Sequence, residues 1–125
     1  ANASYNGWNK NTMPPTDRVI QKKKSFKLAL EKGVTICFGG DVGVYPHGDN
    51  SREMELMVEY GMNPLGVLKS ATSVNADVFG IKEKIGRLKP GLMDIIAVDV
   101  NPVEQISAVR NIAFVMKDGI IYYQQ

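Results

Sequence analysis

The sequence predicts an α/β fold in which helices and one strand precede a β-rich final third. One observation is a helical pattern that ends at a glycine and is followed directly by a short β-branched run, "VTICFGG", at residues 34–40. Another is that strand-like runs replace helical spacing from Ile85 onward. Two of those runs flank Asp118-Gly119, a dipeptide typical of tight hairpin turns.

The first two helices have recognisable ends. Thr16 or Asp17 is expected to cap a helix that runs to about residue 32 and stops at Gly33. A second helix is expected after Asn50, with Glu53 three residues later, which is the spacing of a capping box. The run between Gly33 and this helix is predicted to be a buried strand followed by a glycine-rich loop at residues 40–49.

A third helix is predicted to begin at Pro64 and to end at Gly80. Asn63 is its expected cap, and Pro64 occupies the first position, where a missing N–H costs nothing. Residues at helical spacing support one continuous helix: Leu65, Leu68, Thr72, Ala76 and Phe79. After it, "DIIAVDV" is a predicted strand and "NPVEQIS" a connection.

Composition places the chain among globular proteins and excludes several classes. Of its 125 residues, 44% are hydrophobic and 22% charged, with a net charge of +2. No apolar run is long enough to predict a membrane span. The first residues lack the charged-then-apolar layout that predicts a signal peptide. The single cysteine allows no disulfide framework and fits a reducing, cytoplasmic setting. The basic run "QKKKSFK" is either a phosphate contact or a solvated helix face, and no nucleic-acid-binding module accompanies it.

The stretch "CFGGDVGVYPHGDNSRE" is the candidate site. Asp41 would follow the predicted strand, and in a βα barrel that position lies on the face that holds the active site. Its carboxylate could bind a metal, or take a proton from metal-bound water and pass it to a leaving group. The alternative is an Asx-turn, in which Asp41 hydrogen-bonds its own loop.

His47 has two interpretations that the sequence leaves open. It could contact substrate, because imidazole donates and accepts near neutral pH, or it could pack within the loop. The chain has one His and one Cys, so a three-His zinc site cannot be assembled from this chain alone. Phosphate loops are not indicated, because "FGGDVG" lacks Lys-Ser/Thr and does not open directly into a helix.

Several motifs occur in an order that resembles one enzyme family. They are "GGDVG", "PHGDNSRE", "MNPLGVLKSAT", "IGRLKPG", "VDVNP" and "AFVMKDGIIY". The chain is similar to the C-terminal part of metal-dependent amidohydrolases, in the branch of imidazolonepropionase-like enzymes and Xaa-Pro or Xaa-Arg dipeptidases. This resemblance implies the C-terminal portion of a (β/α)8 TIM barrel at residues 1–84. Residues 85–125 would then supply strands of a composite β-sandwich.

The resemblance also implies a chemistry. Asp41 matches the aspartate at the end of the eighth barrel strand, which binds or approaches the metal and shuttles a proton during hydrolysis of an amide, peptide or other C–N bond. His47 matches a position near the substrate pocket. The implied cofactor is a divalent metal, zinc, in the complete protein. The His-x-His of the first strand, the Lys or Glu of the fourth and the His of the fifth and sixth have no counterpart here.

We therefore expect a fragment that is inactive and metal-free by itself. Its expected partners are the remaining N-terminal part of the barrel or a second copy, in an oligomer, with a small-molecule or dipeptide substrate and neither nucleic acid nor membrane. One alternative is a non-catalytic interaction module derived from an amidohydrolase tail. Another is an unrelated small α/β binding protein.

Overall fold

The structure, a computed structural model, describes residues 9, 12–42, 47–92 and 94–125. Most of the predicted loop at 1–16, with Gly43 and Pro46, lies outside these ranges. Within them, the helices are α1 (Asp17–Glu31), α2 (Ser51–Glu59), α3 (Pro64–Ala71) and α4 (Ser73–Val78). The strands are β1 (Ile95–Val98), β2 (Ile112–Lys117) and β3 (Ile120–Gln124), and a 3₁₀ helix (Ile106–Arg110) precedes β2. None of the described helices has the length and apolar character that crossing a bilayer requires.

Helix α1 begins and ends as the sequence predicts. The Thr16 hydroxyl accepts a hydrogen bond from the Val19 N–H at 3.4 Å, which satisfies one of the donors that a helix start leaves unpaired. Gly33 follows the helix with φ +67, a conformation that glycine adopts without strain. Because the first turn is fixed in this way, Val19 is presented to the core.

A small apolar cluster joins α1 to α2. Val19, Leu56 and Tyr60 are buried together. Phe26 packs against them, its ring edge-to-face with Tyr60 at a centroid distance of 6.0 Å. The Lys23 Nζ lies 5.1 Å from the centre of the Tyr60 ring and 2.9 Å from a Glu59 carboxylate oxygen. Lys23, one of the lysines in the basic run "QKKKSFK", therefore packs against the C-terminal end of α2.

The predicted capping box at the start of α2 is wrong in its side-chain part. Asn50 is the N-cap position, but its φ of −64° and ψ of −29° are helical and its side chain makes no capping hydrogen bond. A capping side chain requires the extended backbone that Thr16 and Asn63 adopt. The Asn50 carbonyl instead accepts the Glu53 N–H at 3.1 Å.

The single helix predicted from Pro64 to residue 79 is two helices, α3 and α4, broken at Thr72. The start is confirmed, because the Asn63 side chain accepts the Gly66 N–H at 2.7 Å. At the break, the Thr72 hydroxyl donates to the Leu68 carbonyl at 2.7 Å, the acceptor that its own N–H would use in a continuous helix. The Thr72 N–H bonds Lys69 instead, and the backbone turns away with φ −127° and ψ −93°.

The buried strand predicted at 34–40 is also corrected. These residues form neither helix nor strand among the described residues, and Val34 and Cys37 are exposed. A buried parallel strand needs a neighbouring strand on each side. The described part of the chain supplies none, because its three strands pair only with one another.

The C-terminal strands form one antiparallel sheet in the order β1-β2-β3. The predicted hairpin is confirmed: Asp118 (φ +51) and Gly119 (φ +76) join β2 to β3 with the positive dihedrals of a type I′ turn. The Asp94 carboxylate accepts the Asp118 N–H at 2.8 Å. This bond ties the residue before β1 to the hairpin turn.

Gly86 brings the residues after α4 against the helix break. A Cβ built on Gly86 would lie 2.7 Å from the Ala76 Cβ and 2.8 Å from the Thr72 carbonyl oxygen. Ala76 is fully buried, so its side chain has no room to move away, and the Thr72 atom is backbone at the helix break. Only a glycine lets the chain pass this closely.

We therefore expect Gly86→Ala to lower the free energy of unfolding by about 2 to 3 kcal/mol, from backbone strain at φ +84 together with overpacking. Gly91→Ala is the matched control, because Gly91 has φ +91 and no atom within 4 Å of an added Cβ. Its expected cost is about 1 kcal/mol, from strain alone. Urea denaturation of both variants measures the difference, and equal costs would contradict the proposed contact.

Candidate functional site

The segment that leads to Asp41 is held by the two helices on either side of the break. The Phe38 N–H donates to the Ser70 carbonyl at 3.2 Å, and the Asn75 side-chain amide donates to the Phe38 carbonyl at 2.9 Å. Both backbone groups of Phe38 are thus paired without a neighbouring strand. The Oδ1 of Asn75 is buried and accepts no hydrogen bond from the described residues.

Asp41 lies in the left-handed region of backbone conformation, with φ +49. Few residues other than glycine adopt this region, and aspartate is among those that tolerate it best. The residue is exposed, and its carboxylate makes no hydrogen bond or ion pair with another described residue. The Asx-turn alternative concerns the loop at 43–46, which lies outside the described ranges.

His47 lies at the far end of the same loop and is exposed. No hydrogen bond joins its ring to Asp41 or to any other residue that the structure describes. Gly48 follows with φ +93 and turns the chain toward α2. The structure thus gives both predicted site residues solvent access without joining them in a common hydrogen-bond network.

Arg110, which the sequence does not single out, joins the end of this loop to the 3₁₀ helix. Its Nη1 donates to the Asp49 Oδ1 at 2.8 Å. Its Nε and Nη2 donate to the two Glu55 carboxylate oxygens at 2.6 and 2.9 Å. The hydrogen bonds that Arg110 donates to these two carboxylates raise the pKa of its guanidinium above the ordinary value, so it stays charged.

Sequence spacing contains no signal for this contact. Arg110 is 55 residues from Glu55 and 61 from Asp49 along the chain. Asp49 stands in the glycine-rich stretch that the sequence marks as a candidate site, but nothing local indicates its partner. Only the tertiary fold brings the three side chains together.

A cavity of about 320 Å³ lies between α1 and α2, away from Asp41 and His47. It is lined by Lys22, Ser25, Phe26, Glu53, Leu56, Met57 and Tyr60. Burial raises the pKa of the Tyr60 phenol, which stays neutral over the physiological range. The cavity is therefore a mixed apolar and polar gap between two helices, and it contains neither predicted site residue.

The described residues do not form a metal-binding cluster by themselves. Within 9, 12–42, 47–92 and 94–125, no three His, Cys, Asp or Glu side chains come together as metal ligands would. A catalytic zinc site uses about three protein ligands. Asp41 is a chemically suitable oxygen donor, but the described side chains around it do not complete a site.

The sequence and the fold of this chain are similar to those of known hydrolases. A sequence profile described as the Amidohydrolase family matches residues 10–122. A crystal structure of an Xaa-Pro dipeptidase with bound methionine is similar over 97% of this chain, with 37% identity and a TM-score of 0.81. A putative prolidase from Bifidobacterium longum is similar over 87% of the chain, with 29% identity and a TM-score of 0.76. No curated protein matches the sequence.

A further structure, a prolidase complexed with N-methylphosphonate-L-proline, is similar over 100% of this chain, with 26% identity and a TM-score of 0.78. The chain spans about a third of each relative's length: 32% of the first, 30% of the second and 33% of the third. These similarities confirm the predicted fold class, the C-terminal portion of a (β/α)8 barrel followed by β-rich strands.

The left-handed backbone at Asp41 predicts how substitutions there affect stability. Asp41→Val should lower the free energy of unfolding by about 1 to 2 kcal/mol, because a β-branched residue is strained at positive φ. Asp41→Gly should leave it unchanged or raise it. Asp99→Val is the control at an exposed aspartate without positive φ, with an expected change within about 0.5 kcal/mol. Equal losses for the two valine variants in urea denaturation would refute the assignment.

Proposed function

The chain belongs to the amidohydrolase family, and on that basis we propose that it is the C-terminal part of an enzyme that hydrolyses amide or peptide bonds. The observation that carries the proposal is the similarity to an Xaa-Pro dipeptidase along nearly the whole chain. Two prolidases among the similar structures favour the same substrate class. We therefore propose a dipeptide or small amide as substrate, with the scissile C–N bond next to proline as the first candidate.

Asp41 is the residue that we propose acts on the reacting atoms. Its exposed carboxylate has no described partner that would neutralise it, which suits a group that must accept a proton. In the proposed step, Asp41 takes a proton from the water that attacks the carbonyl carbon. It then gives this proton to the amide nitrogen as the C–N bond breaks.

The metal is the part of the proposal that this chain does not supply alone. A divalent ion, zinc in our proposal, would lower the pKa of the attacking water and polarise the carbonyl. Since the described residues lack a ligand cluster, the other ligands would come from the rest of the barrel, with Asp41 approaching the metal from this chain.

His47 is proposed to contact the substrate. It is exposed at the end of the loop that Asp41 begins, and a neutral imidazole can donate to or accept from a substrate amide. The exposed side chain has no described hydrogen-bond partner to satisfy first. We assign it to binding rather than to proton transfer, because Asp41 already fills that role.

The remaining N-terminal part of the barrel is the proposed partner of this chain. Residues 34–41 have no strand neighbour among the described residues, and Val34 is 56% exposed. A flanking barrel strand would pair these backbone groups and cover the side chains. The single free cysteine, exposed in the same segment, is compatible with a reducing, cytoplasmic location, which we propose.

A non-catalytic interaction module is the second candidate, and the same unpaired segment favours it. A second copy of the chain could cover that segment without any metal ligand. The two candidates differ in what the segment pairs with: a metal-bearing barrel or an identical tail.

Replacement of Asp41 by Asn in the complete enzyme is expected to lower kcat for an Xaa-Pro dipeptide by about 10² to 10⁴-fold, the range for loss of a general acid–base group. Asn keeps the tolerance for positive φ and the size of the side chain, so folding should be unaffected. Asp99→Asn makes the same chemical change at an exposed position elsewhere and should keep wild-type kcat. An Asp41→Asn enzyme with unchanged kcat would remove Asp41 from the mechanism.

The isolated 125-residue chain is expected to have no dipeptidase activity and no stoichiometric metal. Native mass spectrometry of the protein as purified, with the metal content of the same sample, tests this. A complex with a longer, metal-bearing chain supports the enzyme proposal. A metal-free dimer of identical chains supports the interaction module, and hydrolysis by the pure chain contradicts both.

A further inference from the structure

The loop that carries Asp41 and His47 is fixed at both of its ends by different parts of the fold. At the beginning, the Phe38 backbone is bonded to Ser70 and Asn75. At the end, the Asp49 carboxylate accepts the Arg110 Nη1 at 2.8 Å. The beginning is therefore held by the helices and the end by the 3₁₀ helix of the C-terminal tail.

The Arg110 contact has the geometry of the stronger kind of surface ion pair. Most exposed pairs contribute little, except where an arginine is bidentate or several charges form a network. Arg110 satisfies both conditions, because its fork holds both Glu55 oxygens while a third N–H reaches Asp49. Its side chain is 40% exposed, and those of Asp49 and Glu55 are 32% and 31% exposed. Each of the three is thus partly shielded from water and salt.

The two carboxylates have separable roles. Glu55 belongs to α2, so its bond docks the 3₁₀ helix onto a helix that is already packed in the core. Asp49 precedes α2 and is separated from His47 only by Gly48, whose φ of +93 allows the turn. The bond to Asp49 therefore restrains the loop, whereas the bond to Glu55 restrains Arg110 itself.

We propose that Arg110 is a positioning residue that holds the His47–Asp49 end of the candidate site and thereby sets substrate affinity. This inference rests on the proposed function, since it assigns His47 to substrate binding. The inference goes beyond the proposed function in one respect: Arg110, which lies in the C-terminal tail 61 residues from Asp49, determines where His47 lies. Arg110 does not touch the reacting atoms.

The test uses the complete enzyme with five variants, one of which is Arg110→Lys. Asp49→Ala removes the loop contact, Glu55→Gln weakens the anchor of Arg110, and Arg110→Gln removes both. Arg87→Gln is the matched control, because Arg87 makes a comparable exposed pair with Asp77, at 2.9 and 3.0 Å, away from the loop. The Arg52 and Glu53 amides donate to the Asp49 and Asn50 carbonyls at 3.2 and 3.1 Å, so their hydrogen exchange, corrected for intrinsic rates, reports opening of this end of the loop without requiring activity.

We expect Asp49→Ala and Arg110→Gln to speed exchange of the Arg52 and Glu53 amides by about 10-fold or more while amides of α1 stay at wild-type rates. KM for an Xaa-Pro dipeptide should rise about 5- to 20-fold with kcat within about 2-fold, because binding and not proton transfer is altered. Glu55→Gln should have a smaller effect on both quantities. Arg110→Lys should lie between Arg110→Gln and wild type, because lysine keeps the charge but not the fork.

Exchange of the Arg52 and Glu53 amides that is unchanged in Asp49→Ala overturns the inference. Faster exchange with an unchanged KM also overturns it, because the loop would then be held without any effect on the substrate. A parallel loss of kcat and stability would indicate a structural role only and would count against it. If the wild-type enzyme hydrolyses no dipeptide, the proposed function fails, and the exchange data still decide whether Arg110 holds the loop.

Discussion

The hydrogen bond from the Phe38 N–H to the Ser70 carbonyl is the interaction on which the candidate site depends. A carbonyl within a continuous helix is already bonded to the N–H four residues later. The Ser70 carbonyl accepts Phe38 because α3 ends at Ala71 and leaves its last carbonyls without helical partners. The helix break at Thr72 therefore creates the acceptor that holds the segment before Asp41.

The same break receives the chain on its way to the tail. Gly86 passes within van der Waals distance of the Thr72 carbonyl and of Ala76, so the connection that leads to the sheet is packed against the discontinuity. Asn75, in the helix that follows the break, donates to the Phe38 carbonyl. One local irregularity thus organises three segments that are distant in sequence: the site segment, the helix pair and the start of the tail.

Sequence reasoning succeeds where the physical cause is local. The caps at Thr16 and Asn63, the stop at Gly33 and the Asp118-Gly119 turn each depend on residues within four positions of one another, and the structure confirms all of them. The break at Thr72 could not be predicted, because threonine is acceptable in a helix. Its hydroxyl bond to the Leu68 carbonyl competes with the helical hydrogen bond of its own N–H. The break also depends on a distant donor, the Phe38 N–H, which pairs with the Ser70 carbonyl that the break leaves free.

Tertiary causes explain the other differences. A β-branched run such as residues 34–40 has strand propensity, but pairing requires neighbours, and propensity alone does not supply them. Ser70 is fully buried whereas Phe79 is 70% exposed, so the buried face of these helices follows the bend and not the hydrophobicity of each position. Arg110 is beyond any local pattern because its partners are more than fifty residues away.

The contacts that hold the candidate site lie in α3, α4 and the 3₁₀ helix, whereas Asp41 and His47 themselves are exposed. The Ser70 carbonyl and the Asn75 and Arg110 side chains make hydrogen bonds at the two ends of the loop, and the Asp41 carboxylate has no partner among the described residues. The proposed role of Asp41 in proton transfer requires a carboxylate that is not committed to a structural ion pair, because such a pair would hold it in one charge state. Contacts of Phe38, three residues earlier, hold the backbone that leads to Asp41 and do not involve the Asp41 side chain.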